Sequence, residues 1–432
     1  MSRMLHVGLD VHAETIAVAV AERDGTVREV GTVLHRPEAV RKLVGKLGGP
    51  KGLRVCYEAG PTGYALYWQL TAMGVHCDVI APTLVPTRVG DRVKTDRKDA
   101  IKLARCYRAG DLTPVFVPDA ATEALRDLVR ARETAKQDQL RARHRLSKFL
   151  LRHGRRRPEG MRAWTGRHGV WLGQQTFELE ALQTVYDEYR AALSMSADRV
   201  DRLERAILGA VQDLTPTQQA LVGALAALRG VREVTAATVV SEITTFRRFP
   251  NARQLMGYAG LVPREHSSGS STRRGAITKT GNAHLRRVLV EAAWAYRHRP
   301  ATTGVLRQRQ LGQPPGVVAI ASAAQTRLCH RYRRMMAQGK SPLFIATTIG
   351  RELLGFMWAI GQEIESGTTI QEVNVASTGV NALPGSSSAR SVSISAAGSS
   401  VRSVGPREMR RSAIVAVCFS SARASLRTAI VA

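Results

Sequence analysis

Residues 4–34 read MLHVGLDVHAETIAVAVAERDGTVREVGTVL, and this stretch decides the fold of the N-terminal region. The apolar run 4–10 predicts a short strand that ends on Asp10. Runs 15–21 and 26–33 flank Arg23-Asp24-Gly25, and Asp-Gly between two such runs is a strong hairpin signal. Working outward, 37–47 carries Val40, Leu43, Val44 and Leu47 at helical spacing, with Pro37 suited to a first turn. Strands over 53–58 and 75–80 and helices over 62–73 and 96–109 follow, the last stopped by Gly110. An opening hairpin, then strands alternating with helices, implies a mixed sheet covered by helices, an α/β domain.

From about residue 120 the texture changes. Leu125, Leu128, Val129, Leu140, Leu146, Phe149 and Leu150 recur at helical spacing, and so do Leu182, Val185, Tyr186, Tyr189, Leu193, Val200, Leu203 and Ile207. Two long antiparallel helices, paired as a coiled coil, are expected. Near the turn between them stand eight basic residues and no acid: Arg141, Arg143, Arg145, Lys148, Arg152, Arg155, Arg156 and Arg157. A mixed-sign face would merely be solvated, whereas a one-sign run points to a surface that grips phosphates. Shorter helices are expected over 217–228, 235–243 and 252–258, and longer ones over 283–297, 317–336 and 343–364. Residues 228–236 resemble the hairpin of a helix-hairpin-helix, with Arg232 where a second glycine usually stands. The four serines within 266–272 read as a polar loop, and the Ser/Ala/Gly/Val-rich end after residue 366 reads as a disordered basic tail. The expected division is 1–117, 118–212, 213–365 and 366–432.

The 432 residues include 63 Lys or Arg against 35 Asp or Glu, a formal charge of +28. Such an excess calls for a polyanionic partner, nucleic acid ahead of an anionic membrane surface. The most apolar late segment, 343–360, is interrupted by Arg351 and Glu352, so no membrane span is expected. The five cysteines are widely spaced, odd in number and form no CxxC pair. That argues against a zinc site or a disulfide framework and fits a reducing cytoplasm.

Charge gives affinity but no chemistry, and two constellations supply the chemistry. Asp10 and Glu58 end two strands, while Asp96 and Asp99 open a helix and share one of its faces. Carboxylates so gathered repel unless a cation intervenes, and oxygen donors of this kind suit Mg²⁺ in phosphodiester chemistry. Gly8-Leu9-Asp10 also resembles the first phosphate loop of actin-like ATPases and sugar kinases. Those need a glycine just after the aspartate, where this chain has Val11-His12, and ATP binding is disfavoured. The second constellation is GYAGLVPREHSSGSSTRRG over 257–275. A serine beside Gly269, between Arg264 and the Arg273/Arg274 pair, suits attack on a phosphodiester, with His266 as a general base.

These motifs, with Tyr57-Glu58-Ala59-Gly60, Thr95-Asp96-Arg97-Lys98-Asp99-Ala100 and GAITKTGNAHLRR over 275–287, form a distinctive ordered set. The chain resembles the DEDD transposases of bacterial insertion sequences, the bridge-RNA-guided recombinases. The resemblance implies a RuvC-like, RNase H-type domain, a coiled-coil insert and a mainly helical transposase domain. It implies Mg²⁺ bound by Asp10, Glu58, Asp96 and Asp99, and Ser268 as a nucleophile that forms a transient phosphoserine link to DNA. Ser267, its neighbour, is the alternative nucleophile. Arg264, Arg273, Arg274 and Lys279 would join the basic run in contacting nucleic acid. A structured guide RNA would pair with donor and target DNA, and the enzyme would act as a homo-oligomer, a dimer or tetramer, in the bacterial cytoplasm. The rival reading is a metal-dependent junction-resolving endonuclease that forms no covalent serine intermediate.

Overall fold

Strand β2 (Thr15–Ala21) shows how the first unit is layered. Its side chains alternate between large and small. Ile16, Val18 and Val20 face one side, where they pack with Leu5, Val7 and Leu9 of β1 (Leu5–Val11). Helices α1 (Pro37–Lys46) and α2 (Ala65–Ala72) cover that side through Val40, Leu43, Val44, Leu66 and Leu70. Ala17, Ala19 and Ala21 face the other side, against Ala100 and Ala104 of α3 (Asp96–Ala109). The structure is a computed structural model that describes residues 4–86, 95–269 and 271–378. It divides into two compact units, one ending at Asp119 and one starting at Ala120.

The first unit's sheet has the order β3-β2-β1-β4-β5, adding β3 (Val27–Leu34), β4 (Leu53–Glu58) and β5 (His76–Ile80). β1, β2 and β3 are antiparallel, whereas β4 and β5 run parallel to β1. This mixed five-stranded sheet agrees with an RNase H-like α/β domain. Small residues let α3 lie almost on the sheet. A Cβ added at Gly8 would stand 2.4 Å from the Ala100 carbonyl oxygen and 2.4 Å from the Ala104 nitrogen, so any side chain there pushes helix and sheet apart. Gly8→Ala is therefore expected to cost about 3 kcal/mol or more of stability, read as a lower urea midpoint.

The second unit is helical. α4 (Ala120–Arg152) and α6 (Glu180–Ala210) run side by side. Ion pairs Arg132–Glu204 and Arg199–Asp138 tie early α4 to late α6, which makes them antiparallel. A short helix the sequence did not signal, α5 (Gly166–Gly173), packs beside them through Leu172. The proximal ends of the pair join the main core through Leu125, Val129 and Ile207. The regions expected at 118–212 and 213–365 therefore share one compact unit.

That core is built from α7 (Pro216–Ala226), α8 (Glu233–Ile243), α9 (Ala252–Tyr258), α10 (Ala283–Ala293), α11 (Gly304–Gln310), α12 (Pro315–Ala337) and α13 (Pro342–Thr378). In the hairpin between α7 and α8, Leu228 and Val231 are buried and Arg309 donates to the carbonyls of Ala226 and Val231. α13 is long and apolar enough to cross a membrane by length and composition. Its Ile345, Ile349, Leu353, Met357 and Ile360 are instead fully buried in this core. Arg327 and Arg331 neutralise its Glu352. The helix continues past the expected end at 364, and the rest of the expected tail, 379–432, lies outside the described residues.

Candidate active site

Register places the first acidic group. Gly8 pairs with Ala19 on one side and Cys56 on the other, so Asp10 and Glu58, each two residues on, face the same side of the sheet as Gly8. That is the side on which α3 lies. α3 opens there, its first turn capped by Thr95, whose hydroxyl accepts from the Lys98 amide at 3.3 Å. Asp96 and Asp99 thus belong to the helix turn nearest the end of β1, and the helix N-terminus favours negative charge.

The structure brings Asp10 and Asp96 together with His12. Each offers a ligand atom, and these atoms lie within 4.8 Å of one another. His12 Nε2 sits 3.2 Å from Asp10 and 3.4 Å from Asp96, where a positive charge is wanted. Burial raises the Asp10 carboxyl above its ordinary pKa, His12 opposes this, and the charges of Asp99 and Asp96 add to the rise. Two clustered carboxylates, with the charge of Asp99 close enough to act on Asp10, fit a divalent cation. Sequence reading missed His12 as a member of this group. The signal was there: an imidazole two residues beyond a strand-end aspartate.

The serine stretch is a hairpin rather than the expected loop. β6 (Pro263–Ser268) pairs with β7 (Ser271–Ile277), and Gly269 takes φ 57 at the turn. Glycine adopts this left-handed conformation without strain, which suits a hairpin turn. The hairpin's residues from Arg264 onward are almost all exposed, so no apolar alternation marked its strands.

Pairing sorts its side chains onto two faces. Glu265 opposes Arg274 and Ser267 opposes Thr272, while His266 opposes Arg273 and Ser268 opposes Ser271. On the first face Ser267 donates to Glu265 at 2.9 Å and Arg274 donates to it at 3.3 Å. Those bonds, Ser267's first, hold the Glu265 carboxyl below its ordinary pKa. On the second face Ser268 has no side-chain partner among the described residues and shares its surroundings with His266 and Arg273. Arg264 and Lys279 are exposed near the base of the hairpin.

Both stems of the hairpin are anchored on one buried residue, one through its carboxylate and one through its backbone carbonyl. Glu242 of α8 is 1% exposed. It accepts two bonds from Arg130 of α4, at 2.9 and 3.0 Å, and one from Asn282 at 2.6 Å. Asn282 also caps α10, just after the hairpin, and Tyr258, just before it, donates to the Glu242 backbone carbonyl. Burial would raise the Glu242 carboxyl, but Arg130, Asn282 and Arg126 outweigh it and hold its pKa low. Nearby, Glu133 of α4 binds His284 and Arg287 of α10. Glu242→Ala would remove the buried acceptor shared by Arg130 and Asn282, but the Arg130 side chain is 44% exposed and regains water. The change is expected to cost about 1–3 kcal/mol in chemical denaturation.

The basic run 141–157 does not form one uniform face. Arg141 pairs with Asp138. Arg143, Arg152 and Arg155 lie over the rings of Trp164, Phe149 and Phe177. Arg145, Lys148, Arg156 and Arg157 are exposed with no ion-pair partner among the described residues.

Comparison with known proteins adds to this geometry. A family model described as "Transposase" matches residues 7–154, and one described as "Transposase IS116/IS110/IS902 family" matches 223–304. The chain is 42% identical over 372 residues to a putative transposase, y4qE, of Sinorhizobium fredii, covering 85% of this chain and 91% of that protein. It is 32% identical over 349 residues to the transposase for insertion sequence element IS1533 of Leptospira borgpetersenii, covering 79% of this chain and all (100%) of that protein. It is also 26% identical over 203 residues to a pilin gene-inverting protein of Moraxella bovis, covering 46% and 52% of the two chains.

Proposed function

The chain belongs to the IS110 family of insertion-sequence transposases, and from that premise we propose that it cuts and rejoins DNA through Ser268. The observation that carries the serine assignment is the sorting of the hairpin. Ser267 is held by Glu265, while Ser268 stands without a side-chain partner among the described residues, on the face of His266 and Arg273. A relative whose name describes gene inversion supports a reaction in which strands are rejoined as well as cut.

Ser268 Oγ forms a bond to the scissile phosphorus, and the bond from that phosphorus to a deoxyribose oxygen breaks. The Oγ proton passes to a base, for which His266 is the imidazole on the same face, and the departing oxygen takes up a proton. Arg273 draws negative charge from the phosphate as it develops. In the second half, a DNA hydroxyl attacks the phosphoserine and frees the serine. Asp10, Glu58, Asp96 and Asp99 would hold Mg²⁺, with His12 beside Asp10 and Asp96. The cation, when bound, would neutralise the phosphate and ease departure of the leaving oxygen.

A structured guide RNA would supply target choice by base pairing. Arg145, Lys148, Arg156 and Arg157 of the 141–157 run would grip nucleic-acid backbone. Exposed apolar residues on the paired helices, such as Leu140, Val185 and Met195, support a homo-oligomer. The test is to incubate the purified protein, with RNA transcribed from the flanks of its gene, with DNA carrying those flanks. A protein–DNA band that survives denaturation and disappears with protease is expected. Cut DNA with no such band would favour the junction-resolving reading.

A further inference from the structure

We propose that the distal half of the paired helices carries a pocket for one unstacked nucleobase, held against Trp164 and Arg143. The assignment rests on the reading of this chain as a nucleic-acid enzyme, but not on its serine chemistry. α4, α5 and α6 enclose an open cavity of about 280 Å³, lined among others by Gln139, Arg143, Leu146, Trp164, His168 and Arg190. Three features suit it to a base.

The first is the stacking platform. The Arg143 guanidinium lies 5.3 Å from the centre of the Trp164 ring, a flat cation beside a flat aromatic. Unpaired bases are bound by aromatic and guanidinium planes of this kind. The second is unmet hydrogen-bonding capacity. The buried Nε of Arg143 has no acceptor, and a base edge carries acceptors that would satisfy it.

The third is a strained backbone held in place. Trp164 adopts φ 61, a left-handed conformation that costs a bulky residue about 1–3 kcal/mol. Its amide donates to His168 Nδ1 at 3.3 Å, and Thr165 caps α5 directly after it. Burial, then the charge of Arg157, lowers the pKa of His168, consistent with its role as an acceptor here. The turn therefore presents the indole at a conformational cost, held in place by its edge contact with His168 at 5.1 Å and its packing beside Leu146. A phosphate would need no indole and no Leu146 floor. Arg145, Lys148, Arg156 and Arg157 are exposed, and the charge of Arg157 is felt at His168 in the cavity wall, so cations are available to hold the backbone of an inserted base.

The test measures equilibrium binding of short single-stranded RNA, single-stranded DNA and matched duplex to the full-length protein and its variants. Trp164→Ala is expected to weaken binding of at least one single strand about tenfold or more, with duplex affinity unchanged. Loss confined to RNA assigns the base to an RNA loop, and loss confined to DNA assigns it to an opened DNA strand. Trp164→Phe restores most of the affinity. Arg156→Ala behaves differently, lowering the salt slope by about one for all ligands. A second measurement needs no variant: oligonucleotides carrying a photoreactive 5-iodouracil should crosslink to Trp164 of the wild-type protein. Unchanged single-strand affinity in Trp164→Ala, or an equal loss for duplex, overturns the pocket, as does crosslinking only elsewhere. Wild-type protein that binds no nucleic acid at all overturns the functional reading beneath it.

Discussion

Ser268→Ala should form no covalent protein–DNA adduct and should lose strand exchange by roughly 10³-fold or more, because a covalent nucleophile has no substitute in its own step. The neighbouring Ser267→Ala separates the two serines. Ser267 Oγ is a donor to Glu265, so its loss frees a carboxylate that still pairs with Arg274. That variant should keep the adduct and lose at most a modest part of its rate. The hairpin also makes the result interpretable. Ser268 lies at its exposed end, next to Gly269, and packs against no core residue. A serine-to-alanine change there should leave the unfolding transition in place. Loss of activity without loss of stability would then belong to chemistry. If Ser268→Ala still cuts DNA at the wild-type rate, the serine has no chemical part and the junction-resolving reading stands.

How much of this was legible in the sequence follows from where each signal came from. The first sheet was readable because β2 alternates strictly and Asp24-Gly25 closes its turn, both local facts. α3 was readable to the residue, since Gly110 ends it at φ 79, although the cap is Thr95, which the sequence had not singled out. The serine hairpin was not, because a strand exposed on both faces carries no apolar period and Ser, Thr and Arg read as loop. His12 was hidden for another reason. Its part depends on α3 crossing the sheet at Gly8, a packing event that joins residues far apart in sequence. The basic run was legible as charge but not as partners. That Arg143 would lie over Trp164 depends on how the segment between α4 and α6 folds back.

Asp10→Asn should likewise lower strand cleavage by roughly 10³-fold or more, but its effect on stability should run the other way. Asp10 is partly buried at the end of β1, with Asp96 and Asp99 close enough to add their charge. Without a cation, the half-exposed His12 imidazole is the group that lies against both Asp10 and Asp96, at 3.2 and 3.4 Å. An ionised Asp10 therefore opposes folding in metal-free protein, and a neutral amide of the same shape removes that opposition. Active sites commonly hold such a cost, so that function and stability trade against each other. Metal-free Asp10→Asn should melt at or above the wild-type temperature. Added Mg²⁺ or Mn²⁺ should raise the wild-type melting temperature, as a ligand that binds only the folded state must, and should raise that of the variant far less. Chelator should silence wild-type cleavage, and a divalent cation should restore it. A metal-free variant clearly less stable than wild type would point elsewhere, since the three side chains would then be a structural polar cluster and not a cation site.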